Sequence, residues 1–388
     1  MDPEKSISDQ TGNPNIEIAQ LKFALSLPEY YKDETMISEL QNLIFAGDMA
    51  PYYEIVCRDL NWIIDETLLE EMKSRNVKAI EEFDETIDKA LTSASLIEVK
   101  EAYLNKANYL SRIGDKENAI KILSQAFDRT VALGYKLDNV FHCIRIGLFF
   151  MDNDLIRRNL QRAESLIDQG ANWHSRNCYK MLKAIYSLYT RDFLTASKLL
   201  VGAVSTFVCT ELISFDYFIK YTVLSGVLAL SRAEVKKDLI ENPDVQQALH
   251  STDVLREYLS SLYYGEYKLF FQRLGDCELI MKKDMLLNPH YKYYVREMKV
   301  KAYDQLLSTY ISVKLTYMAD QFGVSKDFIE NEVSKLIAAG RLNYRIDKVN
   351  QTIVNKGKDT KNEVFKAVLK HGDLLLNRIQ KLTRVINI

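Results

Sequence analysis

Chain-breaking residues are scarce in this 388-residue chain, which has 14 glycines and 6 prolines. Average usage would supply roughly 47 of the two together. So few breakers exclude an all-β fold, which needs turn residues about every 8–12 positions. Long apolar runs are also missing. The longest uncharged run, Leu199 to Thr210, falls well short of the roughly 20 residues that span a bilayer. The start, Met1-Asp2-Pro3-Glu4-Lys5, lacks the apolar core of a secretory signal. Charge of one sign is missing as well. Against 51 basic residues stand 53 acidic ones, a net −2, so no bulk charge draws the chain to nucleic acid or anionic lipid. The five cysteines (Cys57, Cys143, Cys178, Cys209, Cys277) are scattered and form no C-x-x-C. They read as reduced, mostly buried thiols, with a cytosolic or nuclear protein as the default.

Catalytic signatures are absent too. The histidines (His142, His174, His250, His290, His371) form no H-E-x-x-H and no H-x-H pair. Gly357-Lys358 is followed by Asp359, so there is no phosphate loop, and neither G-x-G-x-x-G nor G-x-S-x-G occurs. His142 beside Cys143 suggests a Cys/His pair, but adjacent residues on a helix do not face each other. A core position among Val140, Phe141, Ile144 and Ile146 is the better reading. The carboxylates Glu70-Glu71, Glu81-Glu82 and Asp84-Glu85 alternate with lysines, as a solvated helix face does. No enzyme, cofactor or metal is expected.

What is present is helical periodicity, with 47% hydrophobic and 27% charged residues. Helices are expected from Ile16 to near Pro28, from Glu34 to Ala46 before Gly47, from Pro51 through Leu60, and along Leu68, Met72, Ile80, Phe83 and Ile87. A helical hairpin is nearly spelled out from Tyr103 to Ala126. Ala107 and Ala119 are small enough for two helices to approach, Gly114-Asp115 turns the chain, and Tyr103, Leu110 and Leu123 fill the seam. Weaker copies centre on Gly147 with Asp152, and on Ala184 with Asp192. Ala107, Gly147 and Ala184 are 40 and 37 residues apart, so the array resembles tetratricopeptide repeats of irregular period. Pro243 is expected to break the pattern. Helices resume through Val254 to Met285, Asn288-Pro289 forms a loop, and a helix follows over His290 to Tyr310.

The pattern then changes. Ile311-Ser-Val313 is β-like, and Leu315, Met318, Ala319 and Phe322 form a helical face. Gly323-Val324 turns, Ser325 caps a helix with Phe328/Ile329, Val333 and Leu336/Ile337 toward the core, and Gly340 stops it. Leu342, Tyr344 and Ile346 alternate before a turn at Asp347–Asn350 and a return through Thr352-Ile-Val354. Helix–turn–helix plus hairpin is a winged helix. Its second helix carries Lys326 and Lys335 against Asp327, Glu330 and Glu332, a net −1 that repels phosphates. Protein contact is therefore expected over DNA reading. Beyond a polar loop, Phe365, Val368, Gly372, Leu375, Ile379, Leu382 and Ile386 step by threes and fours, an a/d seam over about three heptads that Leu376, Val385 and Ile388 widen. One reading folds this helix onto its own domain. The favoured one places it in a bundle with other chains.

This layout, with Met49-Ala-Pro-Tyr-Tyr53, Arg112-Ile-Gly-Asp-Lys-Glu117, Pro289-His-Tyr-Lys-Tyr-Tyr-Val-Arg-Glu-Met298, Ile337-Ala-Ala-Gly-Arg-Leu342 and Gly372-Asp-Leu-Leu-Leu-Asn-Arg378, resembles the PCI-domain subunits of the proteasome lid. The resemblance runs from about Asn13 to Ile388. It implies an all-α chain: a tail over 1–12, an α-solenoid of tetratricopeptide-like hairpins over 13–185, and a PCI domain over 186–356. That domain would be helical over 186–304 and a winged helix over 305–354, with a bundle helix over 357–388. It further implies a non-catalytic scaffold of the regulatory particle, with other lid PCI subunits and the lid deubiquitinase as partners and base ATPases as a further contact. No nucleic acid and no membrane are implied. The alternatives are a scaffold like subunit 1 of the COP9 signalosome, and a helical-repeat adaptor with a nucleic-acid-binding winged helix.

Overall fold

The computed structural model describes residues 14–93, 96–207, 212–250, 252–355 and 360–386. The expected tail over 1–12, Cys209, Ile388 and positions 356–359 of the polar loop lie outside the described residues. Two compact units divide the rest, one made of 14–264 and 269–296, the other of 265–268 and 297–386.

In the first unit, α1 (Ile16–Ser26) begins at the N-cap Asn15 and α2 (Glu34–Ala46) at the N-cap Asp33. Each cap side chain accepts a backbone N–H of the first turn. Pro51 sits in the first turn of α3 (Ala50–Leu60), where its missing N–H leaves no bond unmade. The long α4 (Glu66–Ser93) exposes Glu70, Glu71, Glu81, Glu82, Asp84 and Glu85 as a solvated face.

Three hairpins follow: α5 (Leu96–Ile113) with α6 (Lys116–Arg129), α7 (Leu133–Phe149) with α8 (Asn153–Asp168), and α9 (Trp173–Tyr189) with α10 (Phe193–Val201). All three turn by one device. The residue before the second helix's N-cap is left-handed: Gly114 at φ 83°, Met151 at 54° and Arg191 at 67°. The next residue, Asp115, Asp152 or Asp192, sends its N–H back to Leu110, Gly147 or Ser187 at 3.0, 2.9 and 2.8 Å, closing a Schellman-type end. The same aspartate caps the second helix. Ala107, Ala119, Ala184 and Ala196 are fully buried. A Cβ at Gly147 would stand 2.7 Å from Ile156 Cγ1, so the backbones of α7 and α8 need the glycine to meet.

The unit continues with α11 (Phe215–Ala229), α12 (Arg232–Glu234) running into a π-helical turn over Val235–Ile240, α13 (Pro243–Leu249), α14 (Asp253–Tyr264) and α15 (Tyr267–Lys283). Pro243 does not simply end a helix. It occupies the first turn of α13 behind the N-cap Asn242. The stretch expected to run from Val254 to Met285 is split at Gly265, whose φ of 84° no helix accommodates. Asn288–His290 is one 3-10 turn rather than an open loop, and α16 (Tyr291–Ser308) follows it. Buried polar groups close the unit. Tyr258 and Tyr294 share a 2.9 Å hydroxyl contact, and Tyr294 donates to the Leu224 carbonyl at 3.0 Å. Asp284 accepts from the Tyr221 hydroxyl and from the N–H groups of Leu286 and Leu287. Gln20 of α1 accepts the Met285 N–H at 3.1 Å.

The second unit holds the rest of α16 from Glu297, then β1 (Ser312–Lys314), α17 (Leu315–Phe322), α18 (Lys326–Ala338), β2 (Tyr344–Asp347), β3 (Thr352–Asn355) and α19 (Thr360–Ile386). The sheet is antiparallel in the order β1-β3-β2, with Val313 opposite Ile353 and Ile353 opposite Ile346. Two helices and a three-stranded wing make the winged helix. Among the described residues the fold is all-α apart from this small sheet.

Candidate assembly surfaces

The winged helix is built around two left-handed glycines. Gly323 at φ 64° turns α17 into α18, and Gly340 at 69° ends α18 with the Arg341 N–H bonded to the Leu336 carbonyl at 2.9 Å. Ser325 Oγ accepts the Phe328 N–H at 3.4 Å as the N-cap. Ile329, Val333 and Leu336 are buried as expected. Phe328 is not a core residue: it is 43% exposed, and the Lys299 ammonium lies 5.4 Å from its ring centre. Of this adjacent pair, Ile329 takes the inner place and is fully buried.

Most charges of α18 are used inside the unit. Lys326 Nζ donates to Gln351 Oε1 at 2.7 Å, and Glu330 pairs with Lys348 at 3.0 Å. Glu332 accepts from Lys299 at 2.7 Å and from the Tyr303 hydroxyl, both on α16. Burial, then the bond to Glu332, hold the Tyr303 phenol far above its ordinary range. Tyr344 of β2 donates to Asp304 of α16 at 2.9 Å, and burial with that bond raises it too. These five residues fasten the wing and α18 to α16. Sequence reading missed them, since partners 29 to 40 positions apart share no period.

The wing's second strand, β3, is paired on both sides. Within the hairpin the free edge therefore belongs to β2, and β1 forms the opposite edge of the sheet among the described strands.

In α19 the six apolar seam residues, Phe365, Val368, Leu375, Ile379, Leu382 and Ile386, are each 59–72% exposed. One helix brings them onto one face, because steps of three and four follow the 3.6-residue turn. Leu376 and Val385 are exposed as well, at 58% and 73%. An apolar stripe of this length left in water is unusual for a single chain and marks a surface to be covered.

Other candidates do not assemble a site. His142 is buried in α7, and burial followed by the nearby Arg145 pushes its pKa down to about 3. Its Nε2 has no hydrogen-bond partner among the described residues, so it does not activate Cys143, whose thiol burial pushes up to about 11. No group of three His, Cys, Asp or Glu side chains among the described residues could hold a metal. A cavity of about 850 Å³ in the first unit is lined by α1, α2 and the Leu212–Tyr221 stretch, with no histidine or cysteine in its wall. No helix among the described residues is long and apolar enough to cross a membrane.

Comparison with known proteins agrees with this layout. The family described as 26S proteasome subunit RPN7 matches residues 65–238, the PCI domain matches 274–356, and the C-terminal helix of 26S proteasome regulatory subunit RPN7/PSMD6 matches 366–386. The chain is 40% identical over 375 residues to the 26S proteasome non-ATPase regulatory subunit 6 of Dictyostelium discoideum, which covers 97% of this chain and 98% of that protein. It is also 40% identical over 383 residues to the protein of the same name from Caenorhabditis elegans, at 96% and 93% coverage. The COP9 signalosome complex subunit 1b of Drosophila melanogaster is 23% identical over 322 residues, covering 81% of this chain and 60% of that protein.

Proposed function

This chain belongs to the RPN7 family of 26S proteasome regulatory subunits, and we propose that it serves as a non-catalytic scaffold of the regulatory-particle lid. In that role it supports the degradation of ubiquitinated proteins by holding other chains in place. Its partners are the other PCI subunits of the lid and the lid deubiquitinase, with base ATPases as a further contact, in cytoplasm and nucleus. The 23% identity to a signalosome subunit, against 40% to proteasome subunits, sets the signalosome alternative aside. Nucleic acid is disfavoured as a partner. α18, the helix that would enter a groove, has Lys326 bound to Gln351 and presents Phe328 and Asp327 outward.

The observation that carries this reading is the exposed stripe of α19. Each fully covered side chain of this size contributes roughly 1.5–3 kcal/mol, enough over six of them to oppose the cost of association. Truncation after Lys370 removes Leu375, Ile379, Leu382 and Ile386. The truncated chain should fold with an unchanged melting temperature and fail to co-purify with the lid. Incorporation at full occupancy, or loss of the body's fold, would refute the bundle role.

A further inference from the structure

The cysteines among the described residues are not alike. Cys57 and Cys277 are buried, and Cys143 and Cys178 are partly so. Burial raises the Cys57 thiol and pushes those of Cys143 and Cys277 up to about 11 and about 12. A thiol at about 11 is ionised in roughly one molecule in 10,000 at pH 7, and the thiolate is the nucleophile. Cys178 differs by its neighbour. Its Sγ lies 3.7 Å from Nε2 of His174, one turn earlier on α9.

The helix fixes this pair. Residues at i and i+4 share a face, and a helical side chain leans back over the preceding turn, so Cys178 reaches toward His174. That turn is held by Asn172, whose Oδ1 accepts the Ser175 N–H at 2.8 Å and whose carbonyl accepts the Arg176 N–H at 3.2 Å. Ser175 and Asn177 are buried, while His174 is exposed. α9 also carries Arg176, Lys180 and Lys183 but no Asp or Glu. Glu164 of the preceding helix is engaged by Lys183 at 3.0 Å. Cations beside a thiol favour its ionised form.

The geometry points to Cys178 as a reactive thiol, with His174 as its proton acceptor and a low-molecular-weight disulfide of the glutathione class as its co-reactant. A nucleophile within hydrogen-bond reach of a base is the arrangement that activates a thiol. Nε2 takes the Sγ proton, and the thiolate attacks one sulfur of the disulfide. The Sγ–S bond forms as the S–S bond breaks, and the departing thiolate recovers the proton from the imidazolium. Cys178 ends as a mixed disulfide, and one glutathione is released reduced. This modification site does not depend on the assembly role.

The test incubates the full-length chain with glutathione disulfide at neutral pH and follows the adduct at each cysteine by peptide mass spectrometry. Cys178 should react at least about tenfold faster than Cys57, Cys143 or Cys277, and Cys178→Ser should remove that fast reaction. His174→Gln should slow Cys178 about tenfold with melting temperature unchanged. His174→Arg, which keeps a cation but takes no proton, should be as slow. In urea, where the helix is lost, all three chains should react alike at Cys178. A Cys178 no faster than the buried thiols overturns the site. A wild-type rate in either His174 variant overturns the role of the imidazole, and a rate difference that persists in urea overturns the dependence on helix geometry.

Discussion

Lys116, the first residue of α6, donates from Nζ to Oδ2 of Asp152, the N-cap of α8, at 2.6 Å. The turn of one hairpin is thus tied to the turn of the next. The Lys116 bond, followed by the Leu155 N–H, lowers the Asp152 carboxyl below its usual range. A depressed acid contributes stability above its unfolded pKa of about 3.8 and loses it as pH falls through the lower folded value. Lys116→Met should cost roughly 1 kcal/mol at neutral pH, discounted for partial exposure of both groups. The gap to wild type should close as Asp152 is protonated, in urea denaturation followed from pH 7 downward. A gap that stays constant across that window would assign the loss to packing of the lysine stem.

The small residues of the first hairpin should be intolerant of size. Ala107 is fully buried, and Ala107→Arg would overpack the seam and bury an unpaired cation at a cost of several kcal/mol. Gly114→Ala places a Cβ 2.7 Å from Tyr52 Cβ at a φ of 83°. The left-handed conformation costs about 1–2 kcal/mol, and the clash adds to it. Both variants should melt well below wild type in calorimetry.

Asp284 titrates in the opposite sense. Burial raises its pKa against the bonds from Tyr221, Leu286 and Leu287. An acid raised on folding destabilises the native state as pH climbs from the ordinary carboxylate value through the folded one. Asp284→Asn keeps the acceptor for the two backbone N–H groups and removes the charge. Its stability relative to wild type should therefore rise across that window, as read by denaturation midpoints at stepped pH. A parallel pair of curves would show that the carboxylate never ionises differently on folding.

Hydrogen exchange locates the wing's contact. An edge strand with unpaired backbone groups is normally covered in an assembly. The amides of Tyr344–Asp347 should slow on incorporation into the lid, whereas those of the doubly paired β3 should change little. Equal exchange of β2 in free and assembled protein would exclude the edge as an interface.

Local signals were legible and non-local ones were not. Gly47, Ser325 and Gly340 mark helix ends because caps act within one turn, and Ala107 and Ala119 mark a hairpin because close helices need small residues. The break at Gly265 is hidden because apolar residues continue at helical spacing on both sides of it. Phe328 and Ile329 both fit the apolar period, and only the packing of the folded unit shows that Ile329 is the buried one. The left-handed Met151 and Arg191 carry no sequence mark, since tertiary packing imposes a conformation that their side chains disfavour. The seam of α19 is visible as a stripe. The fastening of Glu332 to Tyr303 and Lys299 becomes visible only once the chain has brought α16 and α18 together.

The bond from the Met285 N–H to Gln20 spans 265 positions, while the hairpins between them close over a few tens. At about 5–20 residues per second of synthesis, the ribosome needs roughly 13–53 s to make the partner of α1 after α1 itself has emerged. During that interval every hairpin can already be complete, and Gln20 of α1 waits for its backbone partner although Ile18 and Leu25 already have their neighbours on α2 and α3. The core of α1 is met early, since Leu40, Ile44, Tyr52 and Val56 of α2 and α3 share its cluster, and the speed of translation sets only how long that corner stays open on the side that Met285 closes.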